Sequence, residues 1–307
     1  MLVRVKEEAK ADNVTLLGAG VAFFGLLALV PGLVALVSVY GLVADPSEVD
    51  RQVEDALGAA PTEVRDLIAS QLRSITSDSS GALGLATVIS IVIALWSASS
   101  GVKNLIAAIN AAYDEEETRG FVKLRSVSMA FTIGAIVFLV ASFVILAVLP
   151  AVLADSGLGT AGRMIAGVLR WVVLLVGMLL ALAVLYRFGP DRDCPKLSWV
   201  SPGALLATLM WLAGSALFAF YTANFGKYNE TYGSLGAVIV VMLWLYISAL
   251  AVILGAELNA ELERQTVKDT TSGSPKPMGQ RGARAADTLG PTSEEIRQGV
   301  PPDHSDA

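Results

Sequence analysis

The sequence predicts an all-α polytopic membrane protein with six transmembrane helices, and three observations carry that prediction. Apolar residues make up 54% of the 307 and only 16% are charged, with a mean hydropathy of +0.62, a balance found in membrane proteins. Long charge-free runs recur along the chain, beyond the roughly 20 residues that cross a ~30 Å hydrocarbon core as helix. Within the runs apolar residues are continuous rather than alternating, which excludes spanning strands.

The first span covers 14–44. A straight helix of that length measures about 46 Å, so it must kink, tilt or extend outward, and Pro31-Gly32 near its middle marks the expected helix break. Such a break either exposes backbone groups to a substrate, as in transporters, or relieves packing. The run is too long for the apolar region of a cleaved signal peptide, and Glu7 and Glu8 precede it, so it is expected to stay as a span. The second span, 79–102, leads into an amphipathic stretch with Val102, Leu105, Ile106, Ile109 and Tyr113 on one face. That periodicity predicts a helix running on past the membrane. The third span is 126–154. The fourth, 164–186, reaches spanning length only by taking in Arg170; the fifth and sixth are 200–224 and 233–256.

Between spans one and two, Val64, Leu67, Ile68, Leu72 and Ile75 follow Pro61 at helical spacing, after a shorter stripe of Val49, Val53 and Leu57. This predicts an outer helical hairpin on the membrane face. From Asp45 to Asp78 it holds eight acidic and three basic residues, a net of −5 that accounts for most of the chain's −6. The acidic balance is therefore local. Residues 265–307 are rich in Ser, Thr, Pro, Gly and mixed charge without an apolar run, which predicts a disordered cytoplasmic tail after a six-helix membrane domain at 1–264. Lys and Arg concentrate on the flanks holding Arg4, Lys6, Lys103, Lys123, Arg187, Arg192 and Lys268, so both termini are expected in the cytoplasm.

Two stretches, WSASSGVKNLIAAINAAYDEEETRGF (Trp96–Phe121) and NFGKYNETYGSLGAVIVVMLWLYISALAVILGAELNAELER (Asn224–Arg264), resemble the YihY/BrkB family of bacterial inner-membrane proteins. YRFGPDR (Tyr186–Arg192) and the first span around Ala22, Phe23, Phe24 and Pro31 extend the resemblance over nearly all of residues 10–264. The resemblance implies a multi-pass protein of the bacterial inner membrane with the same six helices. Members have been called a serum-resistance or virulence factor and, under an older label, ribonuclease BN. This sequence argues against the nuclease label. Metal-dependent nucleases hold their ions with clustered His and carboxylates, whereas the single His here is His304, in the tail. No basic patch interleaved with aromatics is present for RNA either.

Other catalytic signatures are also missing: the sequence holds no H-E-x-x-H, no G-x-S-x-G and no phosphate loop. Cys194 is the one cysteine and forms neither an internal disulfide nor a metal cluster. Neither an enzyme activity nor a cofactor is expected. The expected partners are the bilayer, a lipid or small-solute substrate and a second copy of the chain, with no nucleic acid.

Candidate pathway or ligand-binding residues come from polar groups set in apolar sequence. Arg170, about two turns inside the fourth helix, either snorkels to the headgroups or contacts an anion, with Glu230 as its expected counter-charge. The short turn between spans five and six carries Asn224, Tyr228, Asn229, Glu230 and Tyr232, which either cap a cavity or anchor the helix pair as an aromatic belt. Trp96, Asn104 and Asn110 put polar groups on the second helix, for helix contacts or for a pathway. At the end of the sixth helix Glu261 and Arg264 are spaced for an ion pair, while Glu257 lacks a basic partner one turn away and is a candidate for proton or cation coupling. Two functions follow: a transporter, exporter or lipid translocase in which these groups converge on a cavity, or a non-catalytic envelope scaffold in which they serve scattered helix contacts.

Overall fold

The computed structural model describes residues 2–41, 83–148, 159–225 and 235–290, and every regular element among them is helical. In order these are α1 (Leu2–Ala11), α2 (Val14–Gly41), α3 (Leu83–Ala112), α4 (Phe121–Phe143), α5 (Thr160–Phe188), α6 (Leu197–Phe225), α7 (Leu235–Glu263) and the single turn α8 (Arg284–Asp287). A π-helical turn, Val144–Val148, follows α4. Five helices are long and apolar enough to cross a membrane, and a sixth joins them when α1 and α2 are taken as one span bent by 63°. The chain is a multi-pass membrane protein.

α2 and α7 form the centre: α2 packs on α3 and α7, α7 on α6, α4 on α3, and α5 on α6. The outward faces carry large apolar side chains, such as Ile93, Val137, Leu169, Trp171 and Leu217. In a soluble protein such a belt would promote aggregation; in a bilayer it is the lipid-facing surface.

Three sequence expectations are corrected. The helix does not break at Pro31-Gly32: α2 continues through both residues. The chain bends instead at Asp12-Asn13, where Asn13 takes a left-handed φ of 51°, a conformation that Asn tolerates better than most residues. At Gly32 a Cβ would make only an ordinary contact, 4.0 Å from that of Ala98 on α3.

The second correction concerns the tail, of which residues 265–290 are folded onto the bundle. Lys196 N donates to Thr270 O and Ser272 N to Cys194 O, and Arg281 is buried with its guanidinium donating to the carbonyls of Val267, Lys268 and Ala286. Composition predicts disorder because no apolar run is available to bury. Hydrogen bonds and small alanines (Ala283, Ala285, Ala286) do that work instead. The third concerns the domain boundary, which therefore does not fall at residue 264. The outer hairpin at 45–78, the stretch 291–307 with His304, and most of the turn between α6 and α7 lie outside the described residues.

The predicted continuation of the second span is present, because α3 runs unbroken from Leu83 to Ala112. Phe121 at the start of α4 meets Trp96 at 6.2 Å between ring centroids, so α4 begins part-way along α3. The last turns of α3 project past it, towards the end of the bundle that carries α1 and the folded tail, here termed the basal end.

α6 and α7 cross at two glycines. A Cβ on Gly255 would collide with the Tyr186 hydroxyl and lie 2.7 Å from Gly203 O and 2.9 Å from Ala207 Cβ; one on Gly203 would collide with Gly255 O. Tyr186 Oη donates to Val252 O at 2.8 Å across the same crossing. Gly255→Ala is expected to destabilise the protein by roughly 1–3 kcal/mol, as overpacking does, and to lower the melting temperature in detergent. Gly120→Ala, at a position with nothing within 4 Å, is expected to leave it unchanged.

Candidate functional site

Two features can carry function: a buried network of charges at the basal end and an apolar cavity within the bundle. The network joins the segments after α3, after α5 and at the end of α7. Arg192 Nη2 and Glu263 Oε2 are 2.6 Å apart with both side chains at 0% exposure. Thr270 of the folded tail donates to the same oxygen at 2.7 Å, and the guanidinium lies 4.8 Å over the Tyr113 ring. Burial pushes the Tyr113 phenol up, against the opposing pull of Arg192, so it stays neutral. A buried charge is retained only when paired in this way.

Around that pair, the segment after α3 is held by side chains. Arg119 grips Glu117 bidentately at 2.7 and 2.6 Å and also donates to Gly189 O at 2.9 Å. Those bonds hold the Glu117 carboxyl below its usual range. Asn110 donates to Glu117 at 3.0 Å and accepts from Asp191 N at 2.9 Å, while Thr118 donates its N–H and hydroxyl to Asp191. Glu115 accepts from Arg284 N at 2.7 Å. Arg264 gathers Glu8 at 3.1 Å, Glu261 at 3.2 Å and Asp114. The Glu261–Arg264 pair expected from the sequence is thus formed.

The cavity, of about 410 Å³, lies between α2, α3, α4 and α7. Its walls are small or aliphatic, including Gly25, Gly32, Ala98, Val102, Ile136 and Ala249. Two hydroxyls, Thr132 and Ser248, also line it, but each already donates within its own helix, to Ser128 O and to Trp244 O, both at 2.8 Å. Ser248 also accepts from Trp211 Nε1 at 3.1 Å. The surface offered to an occupant is apolar.

The sequence candidates divide accordingly. Asn110 and Glu257 belong to the basal end; Glu257 is buried beside Asp12 of the α1–α2 bend. Asn104 bonds its own helix at Ser100 O, 2.8 Å away. Trp96 is capped by Arg125, whose guanidinium stands 4.0 Å over the ring. Arg170 is half-buried on α5, 5.7 Å from the Trp171 ring, with its Nε lacking a partner among the described residues. Tyr228, Asn229, Glu230 and Tyr232 lie outside the described residues, as does the side chain of Asn224. Of the candidates among the described residues only Gly32 lines the cavity, so the polar ones described do not converge there. The sequence reading did not single out Arg192, Arg125 or Tyr113 as site residues. The Asp-Arg pair in a tight link between two spans was the available signal for the first.

Replacing Arg192 with Met strands Glu263 without its cation and is expected to cost about 3–5 kcal/mol. Arg192→Met combined with Glu263→Leu is expected to recover most of that loss, read as melting temperatures in one detergent. Equal losses in the single and double variants would contradict the pairing.

The sequence profile of the family described as Virulence factor BrkB matches residues 5–279. A protein of Bacillus subtilis with the provisional name ribonuclease-like protein YfkH is 34% identical over 256 residues, covering 80% of this chain and 89% of its own. UPF0761 membrane proteins of Pseudoalteromonas translucida and Alteromonas mediterranea are 24% and 26% identical, over 84% and 83% of this chain and 84% and 85% of theirs. No solved structure matches. The match extends past α7 into the folded tail, through the segments that build the basal network, and the chain belongs to the BrkB family of membrane proteins.

Proposed function

We propose that the protein is a lipid translocase or exporter, whose cavity between α2, α3, α4 and α7 accepts the apolar part of an amphipathic molecule. The cavity chemistry carries this reading. A pathway for a small polar solute needs free hydrogen-bonding groups along its wall, and the two hydroxyls present are engaged within their helices. An acyl chain needs none. The basal network fits the same reading as a rigid base, because its charges are tied in pairs and leave the cavity apolar.

The reading is non-enzymatic and places the basal end, with its concentration of Lys and Arg, in the cytoplasm. Among the described residues no group of three or more His, Cys, Asp or Glu is placed to hold a metal ion. The name of the Bacillus subtilis relative belongs to that protein.

Reconstitution into vesicles containing fluorescent phospholipid tests the proposal. Wild-type protein is expected to bring inner-leaflet lipid within reach of an external bleaching agent. Gly32→Leu, which fills the cavity beside Ala98, is expected to slow exchange about tenfold or more, the effect of roughly 1.4 kcal/mol on a barrier. Exchange no faster than in protein-free vesicles would favour the envelope scaffold instead.

A further inference from the structure

Arg125 is a buried cation that faces no carboxylate among the described residues. It sits one turn into α4 and is 8% exposed. Arg119, Arg192 and Arg264 each face a carboxylate. Arg281 is surrounded by carbonyls. Arg125 forms no ion pair among the described residues. Its Nη2 donates to Trp96 O, its Nη1 reaches Ser100 Oγ at 3.3 Å, and its face rests on the Trp96 ring. Its Nε is buried without a partner among the described residues.

The position of this cation is informative. Arg125, Thr132, Ile136 and Leu139 follow one another at i, i+7, i+11 and i+14, which places them on one stripe of α4. The last three line the cavity. Arg125 therefore ends that stripe about 10 Å along the axis from Thr132, and its partner Ser100 immediately precedes Gly101 of the cavity wall. Arg125, Trp96 and Ser100 stand beside the cavity lining rather than in it, and an apolar cavity neighboured by a guanidinium without a carboxylate among the described residues matches a molecule with an apolar tail and an anionic head.

We propose that Arg125, held by Trp96 and Ser100, is the headgroup anchor of the cavity, and that its ligand is an anionic lipid bearing phosphate or carboxylate oxygens. This inference rests on the lipid-binding reading of the cavity given above. The guanidinium supplies charge and paired donors to such oxygens, and the Trp96 ring holds its plane from one side. The ligand neutralises a charge that the protein otherwise keeps buried beside the membrane at considerable cost.

The test is native mass spectrometry of the full chain released from nanodiscs of equal phosphatidylglycerol and phosphatidylcholine, comparing wild type, Arg125→Gln and Arg125→Lys. Wild type is expected to retain phosphatidylglycerol in preference. Arg125→Gln should lose that preference about tenfold, the scale of one charge-assisted contact, while still retaining lipid. Arg125→Lys, which keeps the charge, should preserve part of it and supplies the comparison if the Gln variant does not fold. An unchanged preference in Arg125→Gln would reduce Arg125 to a packing residue and overturn the inference. Displacement of phosphatidylglycerol by free glycerol phosphate would identify a soluble anion and overturn the lipid assignment. Equal retention of both lipids by wild type would sink the Arg125 anchor but keep the cavity reading, whereas retention of neither would sink both.

Discussion

The ion pair between Arg192 and Glu263 is the constraint on which the basal end depends. It joins the link after α5 to the last turn of α7, receives Thr270 from the folded tail and lies against Tyr113 at the end of α3. Four segments distant in sequence are thereby brought to one point. Neither charge can stand alone in so dry a place, so each segment holds its position only while the others are present. The remaining contacts there, from Arg119 to Glu117 and Gly189 and from Asn110 to Asp191, extend the same join outward.

Above this base the packing follows a different logic. Helices in a bilayer gain little from burying apolar surface against one another, so close approach falls to small residues. Gly203 and Gly255 let α6 and α7 touch through their backbones, and Gly101 lets α3 lie against α2 with Ala28. Where small residues line a space that no neighbour fills, between α2, α3, α4 and α7, the cavity results. Tight contact on one side of α7 and open volume on another come from the same residue types, and α7 belongs to both.

The order of the membrane-crossing helices was largely legible from run length, because the bilayer sets a minimum length that charge-free sequence displays directly; the fourth required that Arg170 be taken in, and the first counts as a span only together with α1 across the bend. The extension of α3 past α4 was legible from the Leu105, Ile106, Ile109 stripe. The Glu261–Arg264 pair was legible because both residues share one helix. The pairing of Arg192 with Glu263 was not, since it joins residues 71 apart and no periodicity records it. Pro31 misled because a proline inside a packed membrane helix is tolerated when neighbours support the freed backbone, and the bend falls at Asn13, an unremarkable residue in a polar stretch. The folded tail escaped notice for a related reason: it is held by individual hydrogen bonds, which leave no pattern in composition. Arg125 was not singled out in the sequence, and its contacts with Trp96 and Ser100 of another helix, with no carboxylate among the described residues, are visible only in three dimensions.

The central claim, that the cavity belongs to lipid rather than to water, is tested most directly by spin-label accessibility. Val102 lines the cavity, and the chain's one natural cysteine, Cys194, can be replaced by Ser. A label on Val102→Cys in vesicles would then report whether apolar oxygen or a water-soluble nickel chelate reaches it. The account predicts relaxation by oxygen and little by the chelate. Strong relaxation by the chelate would mean a water-filled pathway and would contradict the lipid reading; shielding from both would mean a closed core with no occupant.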